Sequence, residues 1–467
     1  MSGRATEQKK ERTPGPLDRF HLRNEDTGKI TGVYDYEILT EIMKKDALFV
    51  IGKVPFIYDG GYYKQDTSGA ILTSMIQQYI YPQYIKSSTL KRIYDLFIKK
   101  VELLSEFDDM NTYPDHWVPF QNGFYDPISQ NMIKHDPRFR ATNQIPMNFF
   151  PDEKPPGDHI EEWLHFAVEK DDNREMLLQY FGYCHTPDTR QQKFLVFVGE
   201  GGTGKSTMIR LLEKILGMRN LSSISLVELT QRFAAYGLMG KMVNSCADLE
   251  VTALEDTTRL KKLLGEDTTT AEAKGKDGVS FHNYAKMVFS TNELPIVKNE
   301  RTNGFYRRLL VLPMNRVPPV QRADLFENLE KELPYFVHLC MDALTRMYQN
   351  GRIAESADSK EAIGRLRMDS DTVEAFLVED EHKAPGERAE RGQLFSAYQR
   401  YCTETERQAL NRNNFYRALR SKGFTESKDN DGNRLFNGIS LTKNCREPAV
   451  KPAVNAGFVE VDEPLPF

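Results

Sequence analysis

Cysteine is scarce in this chain: five in 467 residues, Cys184, Cys246, Cys340, Cys402 and Cys445, an odd number with no C-x-x-C pair. That excludes a disulfide framework and a zinc site of paired thiolates, and the five read as reduced thiols. An excess of positive charge is missing too, since 62 Lys and Arg face 67 Asp and Glu for a net charge of -5. A uniformly basic coat of the histone kind is thereby ruled out, and any nucleic-acid contact has to be a local patch or channel. No apolar run approaches the ~20 residues needed to cross a bilayer, and Met1–Asp18 is polar rather than a signal sequence. These absences lead to the expectation of a soluble, cytoplasmic protein without a membrane partner. There is no internal repeat. What is present is apolar mass: hydrophobic residues make up 40% of the chain, with 27 Phe and 21 Tyr, too much for a disordered polypeptide. At ~100–200 residues per domain the length suggests two to four domains.

Composition and periodicity divide the chain further. Residues 1–16, rich in Lys, Glu, Thr and Pro, read as a disordered arm. Residues 17–151 mix β-rich pieces such as 48–58 with helical stretches such as 88–105, giving a mixed α/β N-terminal domain. Pro155, Pro156 and Gly157 mark a linker, and 160–183 is helical, so 152–190 reads as linker and helical collar. From 191 to 355 apolar strands alternate with amphipathic helices, the pattern of a parallel α/β sheet. Residues 366–443 look like a small helix-rich module ending in a hairpin, and 444–467 an acidic, Pro-rich disordered tail.

The strongest signal is Gly199-Glu-Gly201-Gly202-Thr203-Gly204-Lys205-Ser206, which satisfies G-x-x-x-x-G-K-[ST]. An apolar strand, 194–198, precedes it. Behind it, from Thr207, Met208, Leu211, Leu212 and Ile215 share one helical face until Gly217. Glycines let consecutive N–H groups turn inward around phosphate oxygens, and the helix offers its positive end. Lys205 would reach the β- and γ-phosphates of ATP, and Ser206 would give its hydroxyl to Mg²⁺.

Such a site needs an acid on a neighbouring strand. The segment 241–247 ends at Asp248-Leu-Glu250, with Asp248 the candidate magnesium-linked acid and Glu250 the candidate for orienting the attacking water; the roles could be exchanged. A further apolar strand ends in Ser290-Thr-Asn292, where Asn292 could bond the γ-phosphate or the lytic water, or simply make a turn. Arg307-Arg308 open another buried strand. A guanidinium delivered into a neighbour's nucleotide site stabilises charge on the transferring phosphoryl group, although an ordinary salt-bridged pair reads the same. Between these, Lys274-Gly-Lys276-Asp-Gly278 suggests a hairpin tip carrying positive charge, with Phe281 and His282 behind it. Lys274, Lys276 and His282 are the candidate DNA contacts, against a solvated surface turn.

Taken in order, the phosphate loop, Asp-x-Glu, Ser-Thr-Asn and Arg-Arg resemble the superfamily-III helicases, specifically the poxvirus and phage or plasmid primase–helicase family. Val118-Pro-Phe-Gln-Asn-Gly-Phe-Tyr-Asp-Pro127 with Phe150-Pro151, and 260–267, add to the resemblance. It implies an AAA+-type core, a hexameric ring and ATP-driven 3′-to-5′ movement on single-stranded DNA. It assigns Lys205, Ser206 and the loop through Thr207 to nucleotide and magnesium, Asp248 or Glu250 to the acidic motif, Asn292 to the sensor, and Arg307 or Arg308 to the inter-subunit finger. The N-terminal segment shows no Asp-x-Asp at a strand end, so the expected primase is a separate protein.

In 366–443 the face Leu394, Phe395, Tyr398, Tyr401, Cys402, a basic helix near 414–422 and a turn at Asn430–Asn433 suggest a winged-helix-like module for duplex DNA, or a protein-docking module. The terminal Pro464-Leu-Pro-Phe467, behind Glu460, Asp462 and Glu463, resembles a partner-docking tip, with an unstructured solubilising tail as the alternative. The reading is an ATP-dependent replicative DNA helicase of a phage, prophage or plasmid acting on single-stranded and forked DNA. Its rivals are an AAA+ protein-remodelling ATPase and a P-loop DNA-binding module without unwinding.

Overall fold

The computed structural model describes residues 15–231, 233–247, 254, 257–265, 267–271, 279–297, 303–320, 322–379, 382–405 and 407–441. The chain forms two compact units that divide between Gly364 and Arg365. The first unit has the expected α/β class, built on one parallel sheet of five strands: β1 (Phe194–Val198), β2 (Leu221–Ser222), β3 (Val243–Cys246), β4 (Lys286–Thr291) and β5 (Leu309–Pro313). Their spatial order is β2-β3-β4-β1-β5. β4 is buried throughout, and β1 and β5 at all but their last residue, as expected of parallel strands covered on both faces. In β3 a polar residue, Asn244, is fully buried because its amide is spent on the β2 side. Its Oδ1 accepts from Ser222 Oγ at 2.9 Å and from Ile224 N at 2.8 Å, and its Nδ2 donates to Ile224 O at 2.8 Å.

Register fixes what lies at each edge of the sheet. Val198 stands opposite Thr291 on one side and Pro313 on the other, while Phe194 stands opposite Met287 and Leu309. The C-terminal ends of the three adjacent strands β4, β1 and β5 therefore meet at one edge.

The helical stretch expected at 160–183 is two helices, Asp158–Ala167 and Asp171–Tyr183. The break is stabilised by Arg174, whose Nη1 donates to the carbonyls of Val168 and Glu169, both at 2.6 Å, satisfying groups that the first helix leaves open. These helices and Leu333–Asn350 share a core with the sheet through Leu177, Phe181, Phe197, Phe336 and Leu344. Val118, Phe120, Tyr125, Ile145 and Phe149 belong to the same core, so the three-stranded antiparallel sheet of 118–120, 123–126 and 131–133 is continuous with it.

Ahead of it, a meander of Leu48–Ile51, Val54–Asp59 and Tyr62–Gln65 packs with helices Asp35–Lys45, Ala70–Gln77 and Ser87–Phe97. The helix expected over 88–105 stops at Phe97. Beyond it Leu104 bridges to Val50, and Ser105 N donates to Val50 O at 2.9 Å, so pairing with the sheet overrides the apolar period.

The second unit runs helix Thr372–Glu379, strand Lys383–Glu390, helices Arg391–Glu404 and Arg412–Ser421, then the hairpin Glu426–Lys428 with Arg434–Ile439. The last strand lies between the other two. Its core is aromatic: Phe415 stacks on Tyr398 with centroids 4.3 Å apart, and Phe376 meets both.

Candidate phosphate site at the edge of the parallel sheet

The loop leaves β1 between its two neighbours. Gly199 N donates to Thr291 O at 3.3 Å, and Met314 N donates to Val198 O at 2.7 Å. Gly199 has φ +154°, and a Cβ there would stand 2.0 Å from the Met314 carbonyl oxygen, so only glycine allows the approach. Gly202 and Gly204 also have positive φ, and Lys205–Leu216 is helical from the residue after the last glycine.

The first turn of this helix carries no acidic residue, so its positive end is open to an anion. Lys205 is 7% exposed and folds back over the loop, its Nζ donating to Gly199 O at 2.5 Å and Glu200 O at 2.8 Å. Thr203 Oγ closes the loop by donating to Glu200 O at 3.0 Å. Ser206 is exposed, Thr207 half-buried and Gly201 exposed with open space around it. This donor set fits phosphate, and the Ser206 hydroxyl is free to ligate a hard cation.

Asn292 follows the last residue of β4 and is exposed at the edge where the loop begins. β3 ends at Cys246, opposite Phe289 of β4, and so points to the same edge. Asp248 and Glu250 lie outside the described residues.

Arg307 and Arg308 come to the opposite edge. Phe194 N donates to Arg308 O at 2.8 Å, placing the pair at the start of β1, while the phosphate loop follows its end. Both guanidinium groups converge on Gln192, Arg307 Nη2 at 3.1 Å and Arg308 Nη2 at 3.0 Å from its Oε1. They differ in exposure. Arg307 is exposed, whereas Arg308 is half-buried and also donates to Gly304 O at 2.7 Å.

Thr268–Ala271 and Val279–His282 pair antiparallel, with Ala271 opposite Val279. Lys274 and Lys276 fall between them, outside the described residues. His282 is at the far end of the ladder from that tip. Its ring contacts Thr268 Oγ at 3.1 Å and Asp108 Oδ1 at 2.9 Å, tying the hairpin base to the N-terminal region.

Sequence reasoning missed Trp163. From helix Asp158–Ala167 its indole reaches the loop, where a Cβ on Gly204 would meet it at 3.5 Å. The apolar period of this helix shows that Trp163 is buried but not what it covers. Among the described residues no group of His, Cys, Asp and Glu could hold a metal by itself, and no helix is long and apolar enough to cross a membrane.

Two families match segments of the chain: one described as "D5 N terminal like" over residues 37–169, and a family of unknown function (DUF5906) over 197–308, which spans the phosphate loop, β3, β4 and both arginines. A protein of Acanthamoeba polyphaga mimivirus named "Putative helicase L207/L206" is 30% identical over 155 residues. That match takes in 30% of this chain and only 15% of the mimivirus protein. Among solved structures, two A-form apo structures of the NrS-1 C terminal region cover 87% of this chain and 98% and 99% of their own, with TM-scores of 0.51 and 0.53 at 12% identity, a likeness of fold. The chain thus carries a D5 N-terminal-like segment, is similar over part of its length to a viral protein named a putative helicase, and shares the fold of the NrS-1 C terminal region.

Proposed function

We propose that the chain is an ATP-dependent replicative DNA helicase that works as a ring, with an AAA+-type core formed by the five-stranded sheet. The observation that carries the reading is the phosphate loop at the C-terminal end of β1, with Lys205 held inside it and the open helix end behind it. On binding ATP, Lys205 Nζ exchanges the Gly199 and Glu200 carbonyls for β- and γ-phosphate oxygens. Ser206 and Asp248 would hold Mg²⁺, which neutralises charge across the phosphates. Glu250 orients the attacking water, and Asn292 bonds the γ-phosphate or that water.

The arginines support the ring. At the far edge of the sheet neither can serve its own loop, so a finger role requires a neighbouring copy, and the exposed Arg307 is the one able to leave its subunit. Arg308, tied to Gly304 and Gln192, positions it. Lys274 and Lys276, which lie in sequence between the paired segments Thr268–Ala271 and Val279–His282, would grip the strand backbone.

The second unit we read as a winged-helix module, on its helix–strand–helix–helix–strand–strand order and antiparallel sheet. Its helix Arg412–Ser421 has no acidic residue and exposes Arg412, Arg417 and Arg420, which suits duplex DNA.

The test is strand displacement on forked DNA. The wild-type chain should release the strand only with ATP and Mg²⁺, and Lys205→Ala should bind DNA yet neither hydrolyse nor unwind. Hydrolysis without displacement on any fork would favour a remodelling ATPase instead.

A further inference from the structure

On the other side of the sheet from the phosphate loop, a cavity of about 1010 Å³ opens between the N-terminal region and the ATPase core. Its walls include Phe107 from the former, and Arg219, Tyr236, Lys241 and Tyr284 from the latter. Arg219 and Lys241 are neighbours: Lys241 Nζ donates to the Arg219 carbonyl at 2.8 Å, and Arg219 Nη1 donates to the Tyr62 hydroxyl at 2.9 Å with its guanidinium 4.8 Å from that ring. Neither makes an ion pair with a carboxylate among the described residues. The other basic groups of the wall are answered, Arg190 by Asp188 at 2.7 Å and His282 by Asp108 at 2.9 Å. Burial and the charge of Arg219 both push the Lys241 ammonium below its usual range, as expected of two cations held together without a counter-ion.

We propose that this cavity is a second nucleic-acid site, in which Arg219 and Lys241 take backbone phosphates of a single strand while Phe107 and Tyr236, both half-buried, offer faces for its bases. The strand is favoured over a free nucleotide because the cavity is continuous with the hairpin: Phe281 and His282 belong to Val279–His282 and also line the wall. Its volume is also at the upper end for a small-molecule pocket, ~300–1,000 Å³. Binding there is sequence-tolerant. The amides best placed to read base edges are already spent, Asn143 on Asn220, Gly240 and Tyr284, and Asn283 on Leu263 and Ala285. The inference rests on the DNA-translocase reading and extends it by locating a stretch of the track.

The experiment uses the full chain and a fluorescein-labelled oligo(dT) strand of about 20 nucleotides. The double variant Arg219→Gln/Lys241→Gln should bind it at least about tenfold more weakly, with a salt dependence shallower by about 1.4 in log–log slope, two phosphate contacts at ~0.7 each. ATP hydrolysis without DNA should be unchanged. In the wild-type chain, a 4-thiothymidine strand irradiated at long wavelength should crosslink within 107–115 or 233–241, a readout that needs no substitution. Unchanged affinity and crosslinks confined elsewhere would overturn the cavity assignment and leave the helicase reading intact. Loss of dTMP binding without loss of oligo(dT) binding would assign the cavity to free nucleotide and overturn the strand. A wild-type chain that hydrolyses ATP but binds no strand overturns both.

Discussion

Replacing Arg307 by alanine isolates the ring argument. Along β1, from Phe194 to Gly199, the backbone advances five residues, roughly 16 Å at ~3.3 Å per residue. Arg307 and Arg308 stand at the Phe194 end, so their own loop is out of reach and hydrolysis by an isolated subunit should not depend on either. In the assembly, Arg307→Ala should lower turnover by about 10³-fold, the low end for an arginine finger and close to 4 kcal/mol of transition-state stabilisation, while ATP affinity is retained.

Mixing gives a number to check. A competent interface needs an intact Lys205 on one side and an intact Arg307 on the other. When Arg307→Ala and Lys205→Ala subunits are mixed at random in equal amounts, that pairing occurs at about a quarter of interfaces, falling as the product of the two fractions on either side of the midpoint. Phosphate release across a mixing series should therefore rise from near zero to about a quarter of wild type and fall again. A flat series, in oligomers shown by mass to contain both variants, would refute the assignment and return Arg307 to a structural pair held by Gln192.

Three further outcomes follow from the packing. Trp163 lies against Gly204, so ATP should change its emission in the wild-type chain, and the change should vanish in Trp163→Phe; a signal that survives would come from Trp117. His185 is fully buried, its ring bonded to Phe181 O at 2.6 Å, and burial pushes it down to about 4, whereas an unfolded histidine titrates near 6.5. The unfolded chain thus binds the proton first as pH falls, and up to about 3 kcal/mol of stability present above pH 6.5 is lost on the way down to pH 4. Melting temperatures measured across that window should flatten in His185→Gln, and an unaltered slope would rule the residue out. Phe415→Ala, which empties the centre of the aromatic core beyond residue 365, should destabilise that unit by about 3–5 kcal/mol, read from its denaturant midpoint; a loss below about 1 kcal/mol would show that the core repacks.

What could be read ahead of the structure was local. The phosphate loop declares itself because strand, glycines, lysine and helix are contiguous, and helix Arg391–Glu404 because its aromatic face has a helical period. The strand Lys383–Glu390 escaped notice: Lys-Ala-Pro-Gly-Glu-Arg-Ala-Glu has the composition of a linker, and it is a strand because it pairs along one side with Arg434–Ile439 through an irregular register. Likewise 48–58 shows its β character but not that Gly52 and Lys53, both at positive φ, fold it into two strands. Which edge Arg307 occupies depends on β5 pairing with β1, more than a hundred residues away. The cavity draws on residues from Phe56 to Tyr284, and no spacing rule spans that distance.

β5 also has a mechanical meaning. It is five residues long, buried at all but its last residue, and hydrogen-bonded along β1; Arg308 precedes its first residue and Met314 follows its last. The Met314 carbonyl is the group that lies against Gly199. In the proposed ring, a push on the arginine pair by an adjoining subunit's nucleotide would travel along this strand to the floor of this subunit's own phosphate loop. If the ring forms as proposed, each site would sense whether its neighbour is loaded through a single strand, and the sheet itself would set the order in which the sites fire.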